Sequence, residues 1–268
     1  EVLIKYERQK LQSIRRQTKK ERFIEMITSE DHADPKGLRR LAEELQYRED
    51  IIRIPILCCL EQPQYQKDFL ESVKKGMLHK SEDISFALDE KYILIFKTMD
   101  STEKRMFAEY KYILAEYLQG TLQWMQREGI VCRFYIGTFQ NSFLKYHYAY
   151  RHCRWLEKNT KSRHNSVYFY DHICDFVQSI VPEDELDHIF NVYGKLLSED
   201  MQNSCKELIN TLVDTNFNTA KASEALYMHK NTFLYQYNKI RDVLNVNPQS
   251  SYEDKWFLIF LQLFLKNK

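Results

Sequence analysis

The stretch Asn218–Leu244, NTAKASEALYMHKNTFLYQYNKIRDVL, decides how this chain is read. Within it Phe233, Tyr237, Ile240 and Leu244 follow at steps of four, three and four residues, so they line one side of a helix. Asn231, Tyr235, Asn238 and Lys239 fall on the opposite side, with Thr232 and Gln236 at its border. Asn218 is of a type that caps a helix start. The short helix it begins should turn Ala222, Ala225 and Leu226 toward the same core, and small alanines allow two helices to approach closely. A short helix, a brief turn and a longer helix with amides, hydroxyls and a lysine on its free face match a DNA-reading helix-turn-helix. An ordinary helical hairpin with a solvated polar face has the same spacing.

Residue identities separate the two readings. The string Ala225-Leu226-Tyr227-Met228-His229-Lys230-Asn231-Thr232, followed by Tyr235, Lys239 and Ile240, closely resembles the C-terminal helix-turn-helix of the CdaR/PucR family of bacterial transcriptional regulators. That family has an aliphatic residue, His-Arg-Asn-Thr, two variable positions, Tyr-Arg, and a basic residue before Ile. Here Lys230 replaces the first Arg, and Gln236 replaces the Arg after Tyr, which removes a charge from the helix expected to meet DNA. Val192–Leu197 with Asp200, Val167–Asp171, Ile136-Gly137 and Ala149–Leu156 are similar to further segments of the family. The similarity is strongest at the C-terminal end and weak before Ile51.

Composition bounds the rest. A chain of 268 residues holds two domains with real cores, and 44% hydrophobic residues with few Gly and Pro indicate a globular, helix-rich protein. No run approaches ~18 uninterrupted apolar residues, so no membrane span is expected, and the charged start EVLIKYERQK lacks a signal peptide's apolar core. The chain begins without Met and reads as a fragment or a processed chain, not as a natural start. Cys58, Cys59, Cys132, Cys153, Cys174 and Cys205 form no CxxC pair and have no His at ligand spacing. Buried reduced thiols in a cytoplasmic protein are expected, with no metal site and no cofactor. His147 and His152 are five apart and do not share a helix face. The net charge of +1 offers no global argument for nucleic acid. Locally, Lys221, Lys230, Lys239 and Arg241 oppose Glu224 and Asp242, a mild excess that two copies of the domain would double.

Along the chain, Val2–Ile27 is strongly basic and helical in pattern, and Pro35–Leu45 is a helix capped by Asp34. Arg53–Leu60 reads as a buried strand and Gln64–His79 as a helix. Ile84–Leu88 and Tyr92–Lys97 form a hairpin around Asp89-Glu90-Lys91. Thr102–Arg127 is a long helix stopped by Gly129. Ile130–Ile136 is a strand, Phe143–Lys158 a helix and Ser166–Tyr170 a short strand. Helices follow over Ile173–Ile180, Glu185–Leu197 and Cys205–Thr215. The last, Glu253–Leu265, is apolar nearly all round, so it either closes its own core or meets a partner.

This order resembles the palm fold of GGDEF-type nucleotide cyclases. A working diguanylate cyclase carries Gly-Gly-Asp/Glu-Glu-Phe in the hairpin turn. Here the turn is Ala87-Leu88-Asp89-Glu90-Lys91-Tyr92, without either glycine and with a lysine where a divalent cation would sit. The expected fold is therefore α+β, a degenerate GGDEF-like palm domain followed by an all-α helix-turn-helix domain. The expected organisation is an N-terminal helical linker or signalling segment over 1–50, the GGDEF-like domain over 51–172, a helical connector over 173–203 and the DNA-binding domain over 204–268.

The resemblance implies a regulator that binds double-stranded DNA. The lost turn glycines and Lys91 imply that it is not an enzyme, the cysteines a cytoplasmic setting, and the modest charge excess a homodimer or higher oligomer. Its genes would be those of carbohydrate-diacid or related metabolite catabolism, with a small-molecule effector acting through an upstream domain. Asn231, Thr232, Tyr235 and Gln236 would meet base edges or the groove wall, and Lys221, Lys230 and Lys239 phosphates. The competing reading is a non-catalytic nucleotide- or metabolite-binding module whose helical end only dimerises.

Overall fold

The computed structural model describes residues 18–29, 34–99, 106–161, 164–196 and 199–266. The chain divides into two compact units, 1–173 and 174–268.

The first unit is built on strands β1 (Arg53–Leu60), β2 (Ile84–Ala87), β3 (Tyr92–Thr98), β4 (Cys132–Ile136) and β5 (Ser166–Tyr168), in the sheet order β2-β3-β1-β4-β5. Neighbours are antiparallel except β4 and β5, which run parallel. Every residue of β1 is buried because helices cover both faces of the sheet. Ile54, Ile56, Cys58 and Leu60 pack with Phe69 and Val73 of α3 (Gln66–Lys75) and with Leu114, Leu118 and Met125 of α4 (Met106–Glu128). On the other face lie α1 (18–28), α2 (Pro35–Glu44) and α5 (Tyr146–Asn159). The run β1-α3-β2-β3-α4-β4 is a ferredoxin-like split βαβ arrangement, so the expected mixed sheet with packed helices is what forms.

A proline in a central strand needs a reason, because it removes a ladder donor. In a strand the N–H and C=O of one residue point to the same side. The Pro55 carbonyl accepts from Gly137 N at 3.0 Å, just past the end of β4, so the missing donor points where that ladder has stopped.

Several expected boundaries shift. The Gln64–His79 helix starts as a 3-10 turn over Pro63–Tyr65 and ends at Lys75, because Gly76 is extended. The strand over Ser166–Tyr170 stops at Tyr168, and Phe169–Asp171 turn into a 3-10 helix that buries Phe169. Residues 2–17 of the expected Val2–Ile27 helix lie outside the described residues. In α1, Phe23 and Ile27 are fully buried against Phe86, Phe143 and Tyr146, and α2 adds Leu38, Leu41 and Ala42 to the same cluster. The described part of the expected linker thus covers a face of the sheet. Asp34 caps α2, accepting from Lys36 N at 3.0 Å.

After α6 (Ile173–Ser179), the second unit packs α7 (Glu183–Leu196), α8 (Glu199–Asp214), α9 (Thr219–Ala225), α10 (Lys230–Leu244) and α11 (Tyr252–Lys266) around one core. Leu186 and Phe190 of α7 share that core with Leu208, Leu212, Phe233, Ile240, Leu258 and Leu261. Helix α8 begins at Glu199, earlier than the expected Cys205. The all-round apolar α11 closes its own unit against α7 and α8, and none of Trp256–Leu265 is exposed. Two expectations fail. Ala225 is exposed and Ser223 is buried in its place, because at about 100° per residue Ala222, Ser223 and Leu226 share a face that Ala225 leaves. Cys174 is exposed, whereas the other five cysteines are buried; all six are free thiols. Among the described residues no helix is long and apolar enough to cross a membrane.

Candidate nucleic-acid interface

The interface is built from three helix ends. Asn218 Oδ1 accepts the Ala220 and Lys221 N–H groups, both at 3.1 Å, so α9 starts at a filled cap. Helix α9 ends in a Schellman turn: Met228 N donates to Ser223 O at 2.9 Å and Tyr227 N to Glu224 O at 3.1 Å. The residue at the left-handed position is Tyr227, with φ 52°, where glycine is usual. His229 then caps α10, its Nδ1 accepting from Asn231 N at 3.3 Å.

Helix α10 buries Phe233, Tyr237, Ile240 and Leu244, the set that the spacing selects. The expected contact residues Lys221, Lys230, Asn231, Thr232, Tyr235 and Lys239 are all exposed, while Gln236 is partly covered. Arg241 is not a free cation of this face. Its guanidinium donates to Val246 O and to Asn238 Oδ1, both at 3.3 Å, and lies over the Tyr237 ring. It therefore braces the end of α10 and occupies Asn238. Sequence reasoning missed Tyr227, whose ring is 98% exposed beside the start of α10. Its signal was a helix-turn-helix turn without glycine.

Behind α10, Tyr237 donates to Gln249 Oε1 at 2.9 Å, and burial pushes its phenol up. Asp254 accepts the Asn247 N–H at 2.6 Å, and Ser251 Oγ accepts the Asp254 N–H at 3.0 Å. These bonds fix the connection between α10 and α11, and so the tilt of the exposed face.

The other sequence-selected place is the β2–β3 turn. Asp89 Oδ1 accepts Lys91 N at 2.8 Å and Tyr92 N at 2.9 Å. The carboxylate thus closes the turn on itself. Among the described residues no group of three His, Cys, Asp or Glu side chains is placed to hold a metal ion.

A short helix, a turn and a second helix with its polar face outward define the α9–α10 pair as a helix-turn-helix. Residues 206–263 match the family described as the PucR C-terminal helix-turn-helix domain, so the C-terminal unit carries a domain of the PucR type. A solved structure similar to this chain is a regulator of polyketide synthase expression from Bifidobacterium adolescentis. The similarity is 11% identity over 94% of this chain and 94% of that chain, with a TM-score of 0.45. No curated protein matches the chain.

Proposed function

We propose that this protein is a DNA-binding transcriptional regulator whose α10 enters the major groove of duplex DNA. The observation that carries this is the exposed polar face of α10 in a domain of the PucR helix-turn-helix type. Asn231, Thr232 and Tyr235 would meet base edges, with Gln236 at the margin, and Lys221, Lys230 and Lys239 would meet phosphates. Tyr227 joins this set at the groove wall. The protein works as a cytoplasmic homodimer, because three lysines per copy neutralise few phosphates. In this reading residues 51–172 are a degenerate, non-catalytic GGDEF-like domain. The use of Asp89 as a turn cap supports that assignment. The genes controlled are those of carbohydrate-diacid or related metabolite catabolism.

The test is binding to duplex fragments of the source genome across a salt series. Each phosphate contact contributes a slope of about −0.9 in log affinity against log salt. Three lysines from each of two copies predict a slope of about −5 on a two-half-site fragment. Failure to bind any fragment, or salt-independent binding, would remove the proposal.

A further inference from the structure

We infer that the first unit has its own anion site, a groove between α1 and α5 that takes a nucleoside phosphate. The groove holds about 320 Å³ and is lined by Thr28 and by His147, Tyr150, Arg151, Arg154, Trp155 and Lys158, with Asn159 at its end. That volume is at the small end of the range for small-molecule sites. His147, Arg151, Arg154 and Lys158 follow at steps of four, three and four residues, so α5 turns one basic stripe into it.

Among the described residues no carboxylate lines the groove. Glu157 of α5 is engaged by Arg154 of the stripe itself, which meets part of that cation's charge. Its carboxylate lies 2.9 Å from Arg154 and accepts the Tyr92 hydroxyl. Arg151 and Lys158 are exposed at the rim. The larger groove between α3 and α4 lacks this bias, since it mixes Asp68, Glu71 and Glu128 with Lys75 and Arg127. A one-sign stripe in a concavity concentrates anions, and arginine forks match phosphate oxygens.

Two aromatic side chains make the ligand more than a bare phosphate. Trp155 is partly buried, its ring set edge-on to Phe169 at 6.3 Å. Tyr150 is partly buried too, and burial pushes its phenol up, so it stays a hydrogen-bond donor at neutral pH. Flat rings beside guanidinium groups suit a base attached to a phosphate. The site needs no DNA and stands apart from the helix-turn-helix reading.

Isothermal titration of the full chain with ATP, GTP, guanosine and inorganic pyrophosphate tests it, without DNA. A nucleoside triphosphate should bind saturably, and guanosine should not. R151E/K158E, two exposed changes, should weaken that binding at least about tenfold while circular dichroism stays unchanged, since each lost charge-assisted contact is substantial. W155L should weaken ATP or GTP more than pyrophosphate. Absence of saturable nucleotide binding overturns the inference, as does binding untouched by R151E/K158E. Pyrophosphate binding as tightly as the nucleotides overturns the role of the rings. Loss of duplex-DNA affinity in R151E/K158E, with no nucleotide bound by the parent chain, would reassign the stripe to a nucleic-acid backbone.

Discussion

Lys97 Nζ lies 2.8 Å from Asp83 Oδ2, and both side chains are shut off from solvent. The ammonium also donates to Leu78 O at 2.6 Å and sits over the Tyr117 ring. Asp83 accepts the Thr98 N–H at 2.8 Å and the Lys80 N–H at 3.0 Å. Burial pulls the lysine below its ordinary range, while Asp83 opposes that pull. The pair ties the segment before β2 to β3. Lys97→Met should cost about 3–5 kcal/mol, because it leaves a buried carboxylate without its cation. Asp83→Asn with Lys97→Met should cost less than the sum of the two single changes. Urea unfolding of the three variants checks this; a loss under about 1 kcal/mol for Lys97→Met would show that the Thr98 and Lys80 N–H groups and the nearby His79 hold Asp83 without the lysine.

His152 should make the first unit acid-sensitive. Its Nδ1 lies 3.0 Å from Thr138 Oγ1, and its ring stacks on Phe169 at 4.1 Å. Burial, helped by the neighbouring Arg151 charge, holds its pKa down to about 4, against 6.5 for the free side chain. The folded value is the lower one, so the unfolded chain takes the proton first. The stability present in full above pH 6.5 is therefore lost as pH falls from 6.5 toward 4. Allowing for partial exposure, the loss should be on the order of 1–3 kcal/mol. Denaturation midpoints of the parent and of His152→Gln, compared across that window, isolate the histidine. Parallel curves would assign the acid sensitivity to other groups.

Two glycines should respond with opposite sign to alanine. A Cβ on Gly137 would meet the Ala149 carbonyl oxygen at 2.6 Å, Pro55 Cγ at 2.8 Å and Cys153 Sγ at 2.9 Å. The first neighbour is helix backbone and cannot step aside, so Gly137→Ala should destabilise by about 1–3 kcal/mol or more. Gly120, inside α4, has nothing within 4 Å of that position. Gly120→Ala should stabilise by about 0.5–1 kcal/mol through helix propensity. A Gly137→Ala melt at or above that of the parent would contradict the close approach of α5 to the end of β4.

On the proposed DNA-binding face, Asn231→Ala should cost on the order of 1–3 kcal/mol and relax the preference at one base pair. Lys239→Ala should weaken all sequences alike and reduce the salt slope by about one per copy. Competition binding on a randomised site separates these outcomes. Unchanged preference in Asn231→Ala would take that residue out of the reading set.

The helix start at Asn218 offers a control that touches no DNA. Asn218→Ala removes the acceptor for two backbone donors and should destabilise the C-terminal unit by about 1 kcal/mol. The check is its unfolding midpoint, read by circular dichroism.

The features legible along the chain are those whose causes are local. A cap acts within three residues, so Asn218 and Asp34 marked their helices. The buried set Phe233, Tyr237, Ile240 and Leu244 follows from helical period alone, and so does the outward placing of Asn231, Tyr235 and Lys239. Arg53–Leu60 stood out as a strand because an apolar run bounded by prolines has few other uses. Tertiary structure decided what depends on residues far apart in sequence. That α11 packs into the core of its own unit turned on where α7 and α8 lie. Arg241 reads as a free charge along the chain, whereas in the fold the Val246 carbonyl and Asn238 hold it. The basic stripe of α5 became a groove only when Thr28 of α1 closed its far wall. Charge and period are properties of a segment, whereas burial, pairing and concavity belong to the surfaces that segments make together.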